Sequence, residues 1–487
     1  MKKLSTILLA TLLAATAYAQ NEDQALAAPA PEKVPLLLEY SLLDLPFNSY
    51  GAKTAENVIA TDNKNASGNF SDMLRFRSPE QAVQIHNDVM GAAHWGIYKI
   101  PLFRHKPKLD FVIKLLATGT FDYLMNQVPT GGGWVHEEGH RAVMAASYVS
   151  SYNPFAFKKK QDANGGGLSA VSYVLDTNLV LMKRDNNANF VRLSTMGGEM
   201  TIYSVLKMQQ SSFFSYPATR RIHDTRPINS AKYILDLANL IGYIATCSNK
   251  DEATKSTLDQ INREGANQQV RDFTGLDFTA WAYDLARPNE PYANRGLNSY
   301  GNGYDRYIYG NKLSDDEYKW IAKQAGLSYL NLLSPMVFFF DKISIGKNRA
   351  FNFSGRYYPT SFGNQAGLEL YYQTDKYNIF LAPHLNSNKS KTFFGVEAML
   401  YEQPISLMGH QFMGTLRVIA DLQPKDQLFN TGSAAFTGLL GGRLSWKASK
   451  HFFPYLALDA KNKGWIAGNV FLDDNISVKL GLSARFQ

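Results

Sequence analysis

Ile476-Ser-Val-Lys-Leu-Gly-Leu-Ser-Ala-Arg-Phe486 is the stretch on which the class of fold turns. Ile476, Val478, Leu480, Leu482, Ala484 and Phe486 fall on one face of an extended chain. Ser477, Lys479, Gly481, Ser483 and Arg485 fall on the other. A period of two over so many residues is the signature of a β-strand with unlike faces. Gly414, Leu416, Val418, Ala420 and Leu422 repeat the pattern against Thr415, Arg417, Ile419 and Asp421. So do Phe436, Gly438, Leu440, Gly442, Leu444 and Trp446. Working outward, the chain after Phe338 predicts about ten strands separated by polar turns. They fall at Ile343, Phe351, Leu368, Tyr377, Phe393, Phe412, Phe436, Tyr455, Trp465 and Val478. Several runs are longer than ordinary soluble strands.

Upstream the period is helical. Helices are expected over Leu109–Val128, Trp134–Tyr148, Phe190–Gln210, Ile228–Ser248 and Asp315–Leu333. Pro227 suits a first helical position, and Ser314 with Glu317 forms a capping box. No helical stretch is apolar for long enough to predict a transmembrane helix. The expected class is therefore α+β, a mainly helical region over 78–337 followed by an antiparallel β-barrel over 338–487. Residues 20–77 read as a linker and N-terminal segment, in which Val34 to Phe47 is apolar and suited to docking on the body.

Long alternating strands, short turns, 13% aromatic residues and a near-terminal Phe486 resemble the bacterial outer-membrane β-barrels. The chain ends on Gln487 rather than on an aromatic residue, which departs from that family's pattern. The resemblance implies outer-membrane lipid as a partner. A soluble antiparallel sandwich or barrel with one wet face is the alternative.

Met1-Lys2-Lys3, the apolar run Ile7–Ala15 and Ala17-Tyr18-Ala19 read as a secretory signal cleaved before Gln20. Export to a bacterial outer membrane follows, with the periplasm as alternative. The single cysteine, Cys247, excludes an intrachain disulfide and a cysteine metal site. A net charge of +8, with Lys158-Lys159-Lys160 as its only block, gives no nucleic-acid signature. That block reads as a solvated loop.

The chemistry is carried by Gly131-Gly-Gly-Trp-Val-His136-Glu137-Glu138-Gly139-His140. On a helix, His136 and His140 stand one turn apart on one face, where two imidazoles can hold one metal ion. Glu137 stands beside them as a candidate general base. Three protein ligands and one open position is the usual catalytic zinc arrangement. No histidine occurs in 141–152, so the third ligand comes from elsewhere. Glu199 is the leading candidate, a carboxylate sharing a helical face with Met196, Tyr203 and Leu206. Such a group is costly to bury unless a cation or donors compensate it, so a buried Arg or backbone donor is the competing explanation. Gly197 and Gly198 would let its helix approach the motif. Asp176, His223, Asp224 and Asp236 are further candidates.

From Gly131 to Tyr203 the chain resembles the gluzincin peptidases, whose ligands are the two histidines of HExxH and a glutamate on a later helix. Gly139 gives the His-Glu-x-Gly-His form seen in membrane-associated peptidases of the heat-shock membrane-protease type and in site-2 proteases. The Asn-Pro-x-Asp-Gly motif of the latter is absent, and Tyr203 stands where an aspartate would follow Glu199. The resemblance implies zinc on His136, His140 and Glu199, general base Glu137, and hydrolysis of a peptide or protein substrate by a metal-activated water. Tyr203, His223 and Arg141 are candidate oxyanion stabilisers. The segment Trp281 to Gly296, rich in aromatics and charge, suits a substrate-facing loop or a plain solvated one. Two rival functions remain. One is a non-enzymatic outer-membrane channel or binding protein with a structural metal site. The other is a soluble periplasmic hydrolase.

Overall fold

The computed structural model describes residues 36–49, 77–100, 107–126, 128, 130–151, 153, 171–215, 227–266, 271–338, 340–346 and 348–486. The leader, the linker to residue 35, the lysine block 158–160, His223 and Asp224 lie outside the described residues.

Strand β1 (Leu36–Leu45) comes first, then helices α1 (Pro79–Lys99), α2 (Pro107–Met125), α3 (Gly132–Ala146), α4 (Asp176–Asp185) and α5 (Asn187–Phe214). Next come α6 (Pro227–Ser248), α7 (Lys250–Glu264), α8 (Asp277–Ala286) and α9 (Asp315–Ser328). Strands β2 (Ile343–Ser344), β3 (Arg349–Thr360), β4 (Gly363–Thr374), β5 (Asn378–Ser387) and β6 (Thr392–Leu407) follow. The chain finishes with β7 (His410–Pro424), β8 (Ala434–Trp446), β9 (Phe452–Lys461) and β10 (Asn475–Phe486). The class is α+β. The Ser314–Glu317 capping box starts α9, and Ser78 with Gln81 forms another at α1. Among the described residues no helix is long and apolar enough to cross a membrane.

The ten strands form one antiparallel sheet in the order β1-β10-β9-β8-β7-β6-β5-β4-β3-β2. Two differences from the sequence reading stand out. The expected strand at Trp465 is a loop between β9 and β10, and the tenth strand is instead β1, paired with β10 from Leu36↔Phe486 to Leu45↔Val478. The N-terminal segment is thus part of the sheet, with the helical region inserted between β1 and β2. Secondly, the sheet is not closed into a barrel, because β1 and β2 are its two free edges.

The helical region supplies some of the hydrogen bonds along these margins. On β1, Glu39 N–H donates to the Asp88 carboxylate at 2.9 and 3.0 Å, and Ser41 N–H to Gln84 Oε1 at 2.7 Å. Gln81 Nε2 donates to Ser41 O at 2.8 Å. All three partners lie on α1. At the far edge β2 is two residues long, and the chain around Leu333 covers the rest of β3. Gly355 N–H donates to Leu333 O at 2.6 Å, and Tyr357 N–H to Asn331 Oδ1 at 2.9 Å. Strand-edge groups left bare would invite pairing with another chain or cost several kcal/mol each in an apolar medium.

Asp88 makes one edge sensitive to pH. Burial pushes its carboxyl up to about 8; the Glu39 N–H opposes this and the Glu39 carboxylate adds to it. A raised carboxyl means that the folded state keeps a proton which the unfolded chain has lost above about pH 4. Its contribution is complete below that pH and is lost as pH rises through about 8. The melting temperature is expected to fall between pH 6 and pH 9, and Asp88→Asn to flatten that slope. Equal slopes in the two proteins would refute the assignment.

The outward side of β5–β10 is apolar, and the inner side mixes ion pairs with buried apolar side chains such as Tyr371, Phe380, Met399, Ile419 and Leu439. Leu416, Val418, Leu422, Phe436, Leu440, Leu456, Leu458, Ile476 and Leu480 are exposed. The inner positions carry ion pairs, Arg417–Glu397 at 2.7 Å, His384–Asp421 at 2.8 Å and Arg356 with Glu369. Helix α5 is almost wholly buried and packs on α3, α8 and β3.

Candidate metal centre

Helix α3 begins at Gly132, which puts the whole motif within its first turns. The approach of α3 to α5 depends on two glycines. A Cβ on Gly139 would meet Met196 O at 2.8 Å, and one on Gly197 would collide with the Nε2 atoms of both His136 and His140. The imidazole nitrogens therefore face a space that is kept clear by a missing side chain.

A third ligand does converge on that space, and it is Asp277, the first residue of α8. One donor atom each from His136, His140 and Asp277 lies within 4.8 Å of the others. Asp277 Oδ2 is 3.0 Å from His136 Nε2 and 3.3 Å from His140 Nε2. Among the described residues this is the only such group of three. His140 Nδ1 donates to Leu193 O at 2.6 Å, which leaves Nε2 as the ring nitrogen that faces the centre. Burial alone would raise the Asp277 carboxyl, but the His140 and His136 rings hold it below the usual carboxylate range. Burial works against protonation of His140, yet Asp277 pushes its imidazole up to about 9. Two imidazoles and a carboxylate in a glycine-walled space fit zinc, which takes N and O donors and keeps a position open in catalytic sites.

Glu137 sits half-buried beside this group and has no hydrogen-bond partner among the described residues. Burial pushes its carboxyl up, while His136 and His140 pull it down. Tyr243 also stands here: its hydroxyl accepts the Asp277 N–H at 2.8 Å, and its ring lies edge-on to His136 with centroids 6.2 Å apart.

Glu199, the third ligand expected from the sequence, is not part of the convergence. Its carboxylate accepts from Arg192 Nη2 at 2.8 Å, Trp465 Nε1 at 2.9 Å and Gly468 N–H at 2.8 Å. Arg192 also donates to Ile466 O at 3.2 Å. The charge on this apolar helix is thus compensated by an arginine and by the β9–β10 loop. Both partners are fully buried, so Arg192→Met should strand a buried carboxylate and cost about 3–5 kcal/mol. Arg192→Met combined with Glu199→Leu should recover most of that loss. Thermal unfolding of the four proteins of this cycle measures it; additive losses would refute the pairing.

The other sequence candidates are also occupied. Asp176 pairs with Arg306 at 2.7 Å, and Asp236 pairs with Lys232. Arg141 pairs with Glu138 at 3.0 Å. Tyr203 faces the sheet side, where its ring blocks any side chain at Gly468. In the segment from Trp281 to Gly296, Arg295 grips Asp284 at 2.7 and 2.8 Å and Arg287 pairs with Glu317. Those charges hold loops to helices. Asp277 escaped the sequence reading because it lies 141 residues from His136. Its one local signal, an acid opening an apolar helix, has an ordinary explanation in the helix dipole.

Comparison with known proteins returns no family model that matches the chain. No curated protein and no solved structure matches it either.

Proposed function

We propose that this protein is a zinc-dependent hydrolase, acting on peptide bonds, that sits in a bacterial outer membrane. The observation that carries the proposal is the convergence of His136, His140 and Asp277 beside the unpaired carboxylate of Glu137. Zinc held by the three would supply Lewis acidity to a scissile carbonyl and to an attacking water. Glu137 takes the proton of that water and passes it to the leaving nitrogen. Leu193 O fixes the His140 ring, and Tyr243 holds the start of α8 and so the Asp277 carboxylate.

The membrane part of the proposal rests on the outer face of the sheet. Exposed Leu, Ile, Val and Phe line the outside of β5–β10, and the inside carries ion pairs among buried apolar groups, a pattern that suits a lipid-facing outer surface. The helical region bonds part of the sheet's margins, α1 to Glu39 and Ser41 of β1 and the chain around Leu333 to Gly355 and Tyr357 of β3, which lowers the cost of an open sheet beside lipid.

A second reading, a channel or binding protein, draws on one observation. A cavity of about 220 Å³ lies between α1, α5 and the inner face of β6–β10, with Lys207, Arg417, Arg443, Glu39 and Tyr203 among its lining. The metal residues do not line it.

Metal analysis of purified protein should find about one zinc per chain. Peptide hydrolysis should vanish on chelation and return with zinc, and the protein should stay with membranes through a carbonate wash. Zinc without hydrolysis would favour the second reading; release by carbonate would leave the hydrolase but remove the membrane.

A further inference from the structure

Charge is unevenly matched around the cavity between α1, α5 and the inner face of β6–β10. Every acid in its wall already has a partner. Glu39 pairs with Arg443 at 2.7 Å and Glu402 with Arg485 at 2.7 Å. Glu80 and Asp459 share Lys479, and Asp88 accepts the Glu39 N–H. The cations are less fully engaged. Arg417 binds Glu397 through Nε at 2.7 Å and Nη2 at 3.2 Å, which leaves Nη1 without a partner among the described residues. Lys207, on α5, has no acid in ion-pair contact among those residues, and its ammonium stands 5.2 Å from the centre of the Tyr203 ring. The Tyr401 hydroxyl and the Gln210 amide also line the cavity with no hydrogen-bond partner among them.

An ammonium held beside a guanidinium, away from bulk water, is unfavourable unless an anion stands near. Burial works against the Lys207 charge and Arg417 opposes it too, while Tyr203 and Glu80 hold the amine above the ordinary lysine range. Glu80 is itself in contact with Lys479, so its charge is divided. We infer that this cavity binds a small organic carboxylate, held by Lys207 Nζ and Arg417 Nη1. One negative charge suits the one ammonium that lacks an acid. A phosphate dianion would bring a second charge among Glu39, Glu80 and Asp459, which disfavours it. The body of the ligand would lie on Val83, Met208 and Met399, apolar side chains of the same wall. A volume of about 220 Å³ is below the roughly 300–1,000 Å³ of drug-sized pockets, which points to a ligand of amino-acid size. Gly441 keeps the floor open opposite Arg417, because a Cβ there would collide with Asp459 Oδ1. The inference needs neither zinc nor a membrane, since the metal residues do not line this cavity.

Calorimetric titration of the full chain in detergent tests it, with N-acetyl-leucine and N-acetyl-leucinamide as probes. The two share a body and differ in one charge. The acid is expected to bind at least about tenfold more tightly than the amide, the loss that follows when a charge-assisted hydrogen bond is removed. Lys207→Gln should abolish that preference, and Lys207→Arg should keep most of it. Equal affinity for acid and amide would overturn the inference. So would a preference that survives Lys207→Gln, the result expected if the acid bound at the metal residues instead. Inorganic phosphate binding more tightly than N-acetyl-leucine would overturn the choice of a carboxylate. No binding of either probe at millimolar concentration would leave the cavity to water and remove the site.

Discussion

Glu137→Gln is expected to keep its zinc and lose its hydrolysis, with kcat lower by about 10²–10⁴. Glutamine fills the same space and can still hydrogen-bond, but it cannot take a proton from water. Among the described residues no other carboxylate is both next to the two histidines and free of a hydrogen-bond partner. Asp277 pairs with the rings, Glu138 with Arg141, and Asp272 accepts from Gln260 at 3.1 Å. The measurement is kcat on a peptide substrate together with zinc per chain. Full activity in Glu137→Gln would remove this residue as the base. Loss of zinc would show that it acts as a ligand.

Asp277→Ala is expected to lose zinc outright, whereas Glu199→Gln keeps it. The difference comes from where the two carboxylates stand. Asp277 Oδ2 lies 3.0 and 3.3 Å from the two Nε2 atoms, and Glu199 is bound by Arg192, Trp465 and Gly468 instead. Removing one of three ligands should weaken zinc by more than the roughly 10–100-fold typical of losing an outer-shell partner. Gly197→Ala should have a similar effect with all three ligands in place, because its methyl group would enter the space the nitrogens face. Competition against a zinc-binding dye gives the affinities. Zinc retained in Asp277→Ala and lost in Glu199→Gln would restore the ligand set that the sequence suggested.

Much of the molecule was legible in the sequence. The period of two located β3 to β10 after Phe338, and the period near 3.6 located α2, α3, α5, α6 and α9. Local rules sufficed for these, because a strand or a helix with unlike faces carries its period in its own residues. The motif histidines were legible for the same reason, being one turn apart on one helix. Gly197 was singled out as a point of close approach, and the structure puts it against both imidazoles. Errors came where the partner is distant. The segment Leu36–Leu45 is a strand only because β10, more than 400 residues later, receives it. Trp465 reads as strand, but Glu199 holds its indole and so fixes a loop.

The sequence by itself determined the class of fold, the helix that bears His136, Glu137 and His140, and the two unlike faces of every strand. It could do so because each of these is a pattern within one element. The tertiary structure alone decided which face of the sheet is outside, that the sheet stays open, and which acid joins the histidines. Those depend on contacts between elements: α1 side chains on the β1 edge, the Arg192 charge beside Glu199, and the start of α8 against α3. Alternation shows that two faces differ but not which one meets the helices, and a buried acid goes to whichever cation the fold brings near.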